Sequence, residues 1–353
     1  MSESQPSGAD VARTAPPHTP WNRLPIVGLM MALIVGVLVL AFSWPGVTSE
    51  VKNLPVAIVG SADQVAQLTA ALDEKQPGVL DVRTAADEAQ VRELIETREV
   101  YGAIVLGASP EVLTSSAGST IATQLLTGVA ASIQAQANAA AGAAAAASGA
   151  QAPVITVAVT DIVPLAATDA RGVGLASAAF PMVIGGMIGG IGLTIAVAGV
   201  ARRLVALLIY VVAAGAVAGG ILQGWLGILQ GDVLVNMAAL SLAFLSIGGT
   251  IVGVAALVGR AGIAVGPILF LLVGNPISSS NAPVQFLPEP WGAVGQFLPP
   301  GAGSTLLRDL SYFPKADTSF PWTVLAVWAA AGVVLALIGH FRSSRYSVVE
   351  TDV

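Results

Sequence analysis

The chain has 353 residues, of which 55% are hydrophobic and only 10% are charged, and its mean hydropathy is +0.79. Soluble domains carry about 25% charged residues, so this composition excludes an ordinary water-soluble enzyme. There is no cysteine, which excludes disulfides and thiolate metal sites. The net charge of −6 provides no basic patch, so we expect no nucleic-acid partner. Long apolar runs indicate a protein of the membrane.

Six apolar runs of nearly 20 residues predict six membrane-spanning helices, and they give the chain its domain organisation. The fifth run, about 261–277, is short and contains Pro267. The fold class is therefore a polytopic α-helical membrane protein. The predicted segments are a disordered cytoplasmic tail (1–23), a first span (24–42), an α/β domain (44–171), four spans (172–277), a pre-terminal segment (278–321), a last span (322–340) and a cytoplasmic tail (341–353).

Basic residues at the ends of the spans predict the orientation, because Lys and Arg beside spans are retained in the cytoplasm. With the amino terminus inside, Arg202, Arg203 and Arg260 all fall on the cytoplasmic side. This arrangement predicts a multi-pass protein of the plasma membrane. Both termini are then cytoplasmic, and residues 44–171 lie outside.

The predicted external domain alternates strands and helices, which is typical of a small α/β sheet domain. We expect a long helix over residues 119–147, followed by a strand over 153–163. Within that helix, residues 130–150 are almost all Ala, interrupted by Gln134, Gln136 and Asn138. Such a segment is a poor span but a strong helix former, which favours a spacer arm or a helix packed on a partner.

The sequence contains no recognisable catalytic or ligand-binding set. No lysine follows a glycine in a phosphate-binding loop, and the histidines, His18 and His340, lack metal-ligand spacing. We therefore expect no enzymatic activity, no metal and no cofactor. Spans two to six contain no Asp, Glu, Lys, Arg or His, so we expect no buried carboxylate or imidazole among the helices. Any energy for transport would then come from another protein.

Small residues at helical spacing are the main feature inside the predicted spans. They let helix backbones approach closely, either within one chain or across a homodimer seam. The residues form four Gly-x-x-x-Gly pairs: Gly185 with Gly189, Gly186 with Gly190, Gly215 with Gly219, and Gly249 with Gly253.

The segment before the last span, 278–321, is too rich in proline for a span yet apolar enough to enter the membrane interface. It is either a re-entrant or interfacial hairpin or an ordinary external loop. Trp291 suits the headgroup level. Pro299, Pro300 and Gly301 predict a sharp turn, after which residues 304–312, including Arg308, predict a short amphipathic helix.

Four stretches carry a resemblance to a known family: Val56–Val59, Tyr101–Leu106, Val159–Pro164 leading into Arg171 and Gly172, and Leu287–Phe313. With the order of spans and domain, they resemble the permease subunits of ABC type-2 exporters. The similarity is closer to the phage-infection-protein (YhgE/Pip) branch, of the actinobacterial type.

This resemblance implies a dimer driven by a separate cytoplasmic ATPase subunit, with a lipidic or amphipathic molecule as the exported substrate. The predicted inner loops are very short. The ATPase subunit would therefore dock on the amino-terminal tail or on the cytoplasmic ends of the spans around Arg202, Arg203 and Arg260. The alternative is a membrane scaffold or surface receptor without a transport cycle, associated with other membrane proteins of a cell-envelope or secretion assembly.

Overall fold

The computed structural model describes residues 20–107 and 109–349, with side chains to residue 342. The predicted disordered tail falls almost wholly outside the described residues, as does the end of the carboxy-terminal tail. The described chain is mostly helical and carries one five-stranded sheet. The sheet belongs to an α/β domain that is inserted between the first and second long apolar helices.

The sheet is mixed, with the strand order β2-β1-β3-β4-β5. Strands β1, β2 and β3 are parallel, β4 runs antiparallel to β3, and β5 is parallel to β4. The elements of the domain are β1 (Leu54–Val59), α2 (Ala62–Lys75), β2 (Leu80–Thr84), α3 (Glu88–Glu96), β3 (Gly102–Val105), β4 (Glu111–Thr114), α4 (Thr120–Ser148) and β5 (Ala158–Asp161).

Alternation along the strands gives the sheet two apolar faces. In β1, Val56 and Ile58 pack with side chains of α2 and α4, whereas Ala57 faces the opposite side. That opposite side joins a core shared by α3 and the membrane helices. The domain therefore has three layers, and one of its faces is continuous with the helix bundle.

Strand β4 was not predicted from the sequence. Its four residues, Glu111–Thr114, include a single Glu and follow Pro110, so the run is too short for a strand signal. Pairing with β3 and β5 supplies the missing stabilisation. Only contacts with distant residues make this segment a strand.

The Ala-rich helix α4 is packed at its beginning and largely exposed towards its end. Leu126 and Val129 contact the sheet. Further along, the Nδ2 of Asn138 donates to the carbonyl of Ile155 at 2.8 Å, and the N–H of Ile155 donates to the Oδ1 of Asn138 at 2.7 Å. The N–H of Val157 donates to Gln134 at 3.0 Å. These amides hold the returning chain against the helix.

Five helices are long and apolar enough to cross a membrane: Trp21–Thr48, Val173–Ala196, Val200–Trp225, Val233–Ala264 and Ser319–Arg342. They correspond to α1 (Leu24–Thr48), α5 (Val173–Ala196), α6 (Val200–Gly219) with a π-helical extension Gly220–Trp225, α7 (Val233–Val258), which is followed by the 3-10 segment Gly259–Ala264, and α10 (Ser319–Val349). Helix α1 continues to Thr48 rather than stopping near 42. Pro45 in its last turn removes one N–H from the helix, and the N–H of Ser49 closes the end by donating to the carbonyl of Pro45.

The predicted fifth span is not one of these five helices. The chain turns back at Gly259, where φ is 76°, and continues as a π-helical segment, Gly266–Gly274. This segment directly continues the 3-10 helix Gly259–Ala264, so the fifth run is helical but irregular. Pro267 suits the start of this helix because a helical N–H is not needed there. Phe270 is fully buried against α5 and α7.

Helix α7 lies at the centre of the bundle, packed against α5, α6 and α10. Two shorter helices, α8 (Trp291–Gln296) and α9 (Pro299–Tyr312), precede α10. Helix α1 differs from the others, since none of its best apolar window is buried. It contacts the π-helical segment, and its aromatic residues pack as Phe42 on Phe180 and Trp44 on Trp291.

Candidate functional site

Helix α9 inserts among the membrane helices, directly beneath the α/β domain. It packs against α5, α7 and α10. Gly303 fits between Met182 of α5 and Ala243 of α7. At the other end, the hydroxyl of Tyr312 donates to the carbonyl of Ile228 at 2.9 Å, in the connection between α6 and α7. The helix thus bridges the bundle interior and the connections on the domain side.

The expected turn at Pro299, Pro300 and Gly301 is wrong, because these residues form the first turn of α9. Proline is favoured at the first helical positions, since their N–H groups have no partner within the helix. All three residues are buried. Gly301 lies too close to the carbonyl of Gly295 for a side chain, which closes the junction between α8 and α9.

An ion pair joins the domain to α9 across 211 residues of sequence. The Nη1 of Arg98 donates to the Oδ1 of Asp309 at 2.6 Å, and the two side chains are only 17% and 6% exposed. The Arg98 guanidinium also lies 5.8 Å from the ring centroid of Phe313. Burial raises the pKa of the Asp309 carboxyl, while Arg98 opposes that rise.

Arg308 occupies the neighbouring position and donates only to carbonyl oxygens. Its Nη1 donates to Ala117 at 2.8 Å and more weakly to Gly118 at 3.3 Å, and its Nη2 donates to Ser280 at 2.8 Å. Burial lowers the pKa of this guanidinium to about 10, and the nearby Arg98 adds to the effect. It is still protonated at pH 7. Arg308 therefore ties together the start of α4, the pre-terminal segment and α9.

A small polar cavity lies at this junction. Its volume is about 30 Å³, enough for about two water-sized groups. Ser279 contributes a buried hydroxyl that has no hydrogen-bond partner within the described residues. The wall is formed by the domain, the start of α5 and the pre-terminal segment, and its polar members are Arg98, Tyr101, Ser116, Ser119, Thr120, Ser279, Ser280, Asn281 and Arg308.

A buried carboxylate lies at the edge of the bundle, outside the predicted spans. Asp309 is 5% exposed on a helix that packs against three of the long apolar helices. The five long helices themselves contain no Asp or Glu. The sequence predicted that residues 304–312 form a short amphipathic helix. In the structure Asp309 on this helix pairs with Arg98 of the domain.

Two apolar cavities border the long helices. The first, about 270 Å³, lies between the domain-side ends of α5, α6 and α7, with Met182, Leu222 and Phe244 in its wall. The second, about 350 Å³, lies between α1 and the end of the π-helical segment, with Leu40, Trp44 and Trp291 in its wall. Trp291 and Leu40 are 41% and 65% exposed, so this second cavity opens to the surroundings of the bundle.

The Gly-x-x-x-Gly pairs contact helices of the same chain. A methyl group at Gly186 would lie 2.6 Å from the Cβ atom of Ile247 in α7, and one at Gly190 would lie 2.8 Å from that of Ile251. The other partners are Phe244 for Gly185, Tyr210 for Gly189, Ser241 for Gly215, Met237 for Gly219, Ala329 for Gly249 and Gly332 for Gly253. Because these glycines are occupied by contacts within the chain, a homodimer would have to use other surfaces.

The three predicted docking arginines do not share one environment. Arg203 donates through Nη2 to the carbonyl of Val197 at 3.1 Å, which satisfies a carbonyl at the end of α5. Arg202 and Arg260 are exposed. The connection between α5 and α6 consists of only three residues, 197–199, so no inner helix lies between them.

Comparisons of the chain with protein-family models, with curated proteins and with solved structures give no match. The similarity to the permeases of ABC type-2 exporters therefore stays a prediction from the sequence.

Proposed function

We propose that this protein is a permease-like export subunit that moves a lipidic or amphipathic molecule across the plasma membrane. The α/β domain lies outside, both termini are cytoplasmic, and the π-helical segment with α8 and α9 takes the place of a further, interrupted crossing. The observation that supports this most is the apolar cavity of about 270 Å³ on the domain side of the bundle. Ile228, whose carbonyl accepts from Tyr312 of α9, lies in its wall.

The energy for export comes from a separate ATPase subunit. The long helices carry no carboxylate that could relay protons, and Asp309 lies at the domain junction, where it pairs with Arg98. The exposed Arg202 and Arg260 lie at the opposite ends of α6 and α7 from the domain, and they supply basic groups for docking.

A cavity-filling variant tests the export function. Ala178→Trp places a large ring in the apolar cavity, whereas Val212→Trp adds the same ring at an exposed site of α6. We compare lipid extracts of the envelope and medium from a deletion strain complemented with each gene, by mass spectrometry. If the protein exports a lipid, one lipid species should be missing from the extracts of the deletion strain. The wild-type gene and Val212→Trp should restore it, whereas Ala178→Trp should not. Identical extracts from all strains would argue against export.

A membrane scaffold or receptor is the second candidate, favoured by the three-residue connection between α5 and α6 and by the exposed end of α4. Purification in mild detergent separates the two functions. An export subunit is expected to retain an ATPase. A scaffold is expected to retain envelope proteins, and to lose them when the exposed end of α4 is shortened with its return segment.

A further inference from the structure

Two arginines lie at the junction between the domain and α9, and only one of them, Arg98, is hydrogen-bonded to a carboxylate within the described residues. Two guanidinium groups, Arg98 and Arg308, accompany one carboxylate, Asp309, and that carboxylate is bound by Arg98. Two other carboxylates nearby accept from backbone groups: Asp161 from the N–H of Ser116, and Asp169 from those of Gly174 and Leu175. Arg308 is thus a buried cation whose hydrogen bonds, in the described part of the chain, go to carbonyl oxygens alone, and the carboxylate that attracts it, Asp309, is itself bound by Arg98.

The polar cavity beside Arg308 offers hydrogen-bond donors to an anion. The hydroxyl of Ser279 is buried and unpaired within the described part of the chain, and Thr120 begins helix α4, whose amino-terminal end favours negative charge. The cavity has room for about two water-sized groups, which matches the two oxygens of a carboxylate. Asn281 at its edge is exposed and leaves a way in.

An apolar groove begins close to this polar cavity. Ile277 lines the groove beside α1, and Ser279 lines the polar cavity. Two residues of chain extend at most about 7 Å, so the walls of the two cavities lie close together. The groove, about 350 Å³, is within the range of roughly 300–1,000 Å³ for small-molecule sites. Its wall is apolar, apart from the indole N–H groups of Trp44 and Trp291.

We propose that this composite site binds a single-chain fatty acid, with the carboxylate at Arg308 and Ser279 and the alkyl chain in the groove between α1 and the π-helical segment. The inference rests on the proposed export function and deepens it, because it names the substrate class as an anionic lipid with a single chain. Charge complementarity selects the head group, and the small polar cavity excludes a bulkier one.

Binding is measured on the purified protein in phosphatidylcholine nanodiscs, with a bromine-substituted fatty acid as the probe. Bromine on the alkyl chain quenches the fluorescence of adjacent tryptophans, here Trp44 and Trp291. We expect saturable quenching that the double variant Trp44→Phe/Trp291→Phe largely loses. The methyl ester of the same fatty acid, which has no charge, is expected to bind at least about tenfold more weakly.

Variants locate the head group. Arg308→Gln is expected to weaken binding of the brominated fatty acid about tenfold or more, because a charged hydrogen bond is lost. Ser279→Ala keeps the junction intact and is expected to weaken binding about threefold. Arg202→Gln, a matched change at an exposed site at the opposite end of the bundle, is expected to bind as wild type does.

Three results would overturn the inference. Equal quenching by the methyl ester would exclude an anionic head-group site, and tighter competition by phosphatidylglycerol would assign the site to a phospholipid. No saturable quenching in the wild-type protein would exclude the site altogether. None of these results changes the expected export phenotype of Ala178→Trp. Failure of the fatty-acid site is therefore distinguishable from failure of the proposed export function.

Discussion

Three residues, Arg98, Arg308 and Asp309, connect the α/β domain to the helix bundle. Arg98 follows α3 in a left-handed conformation, with φ at 63°, and this turn directs its side chain towards α9. Burial raises the pKa of Asp309, and the guanidinium of Arg98 is the largest effect that opposes it. The pair is therefore balanced between the cost of desolvation and the attraction of opposite charges.

Removal of Arg98 is expected to make the stability of the protein depend on pH. In Arg98→Met the folded-state pKa of Asp309 rises further above its unfolded value. A group with a raised folded-state pKa contributes stability at low pH that is lost as the pH rises through that pKa. We expect a loss of about 3–5 kcal/mol relative to wild type at pH 8, and a smaller loss at pH 5. Chemical unfolding in detergent measures both.

Two controls accompany this measurement. In Arg98→Met/Asp309→Asn, the pH-dependent part of the loss should disappear, because no buried carboxylate remains. Lys315→Met breaks the exposed pair with Glu96 and should leave unfolding unchanged. An equal loss at both pH values in Arg98→Met would show that Asp309 does not govern the effect.

At the level of elements, glycines determine how closely the long helices approach. Gly186 and Gly190 face α7 along one side of α5, and Gly253 faces Gly332 of α10. Each lacks the side chain that would hold the backbones apart. Gly192 lies on the same helix α5 but has open space around it, so the pattern of glycines alone does not reveal which of them are in contact.

The pair Gly186 and Gly192 allows a matched test of helix packing. Gly186→Leu places a side chain against Ile247, whereas Gly192→Leu extends into free space. Overpacking of a closed interface costs about 1–3 kcal/mol, so Gly186→Leu is expected to unfold at a lower temperature than wild type. Gly192→Leu is expected to unfold at the wild-type temperature or slightly above it. Similar melting curves for both variants would refute the assigned contact.

For the whole molecule, the domain and the bundle share one apolar core. It runs from Ile95 and Leu113 in the domain, past Phe313, to Leu306 and Leu325 among the membrane helices. Together with the ion pair, this continuity ties the domain to α9 on the side where α5 begins and α6 ends. Movement of the domain is therefore expected to move α9, which borders the central helix α7.

The orientation is testable because the chain has no cysteine. Gln67→Cys places a thiol on the exposed face of α2, and Ala201→Cys places one at the opposite end of the molecule, at the start of α6. A membrane-impermeant maleimide should label Gln67→Cys in intact cells and Ala201→Cys only after permeabilisation. The reverse labelling would place the domain in the cytoplasm and overturn the proposed export direction.

Much of the fold could be predicted from local pattern. The helix expected over 119–147 is α4 (Thr120–Ser148), the strand expected over 153–163 is shorter, as β5 (Ala158–Asp161), and five of the six apolar runs are found as long helices. The exceptions are short or special segments. Strand β4 depends on its neighbours, and the fifth run folds back at Gly259 into a short π-helical segment.

The candidate site was only partly predictable. Arg308 was singled out as part of the stretch Leu287–Phe313, which carries the family resemblance, but neither its neighbour Asp309 nor the distant Arg98 was predicted to belong to a site. Amphipathic periodicity identifies the polar face of a helix, yet it does not show whether that face meets water or a buried partner. Here the partner is 211 residues away.

The sequence by itself determined the membrane class and most of the secondary structure, because hydrophobic runs and helical propensity are local properties of the chain. Only the tertiary structure decided the insertion of α9, the burial of Asp309 and the use of the glycines within one chain. These features depend on contacts between residues far apart in sequence, and a local sequence pattern carries no information about the energies of such contacts.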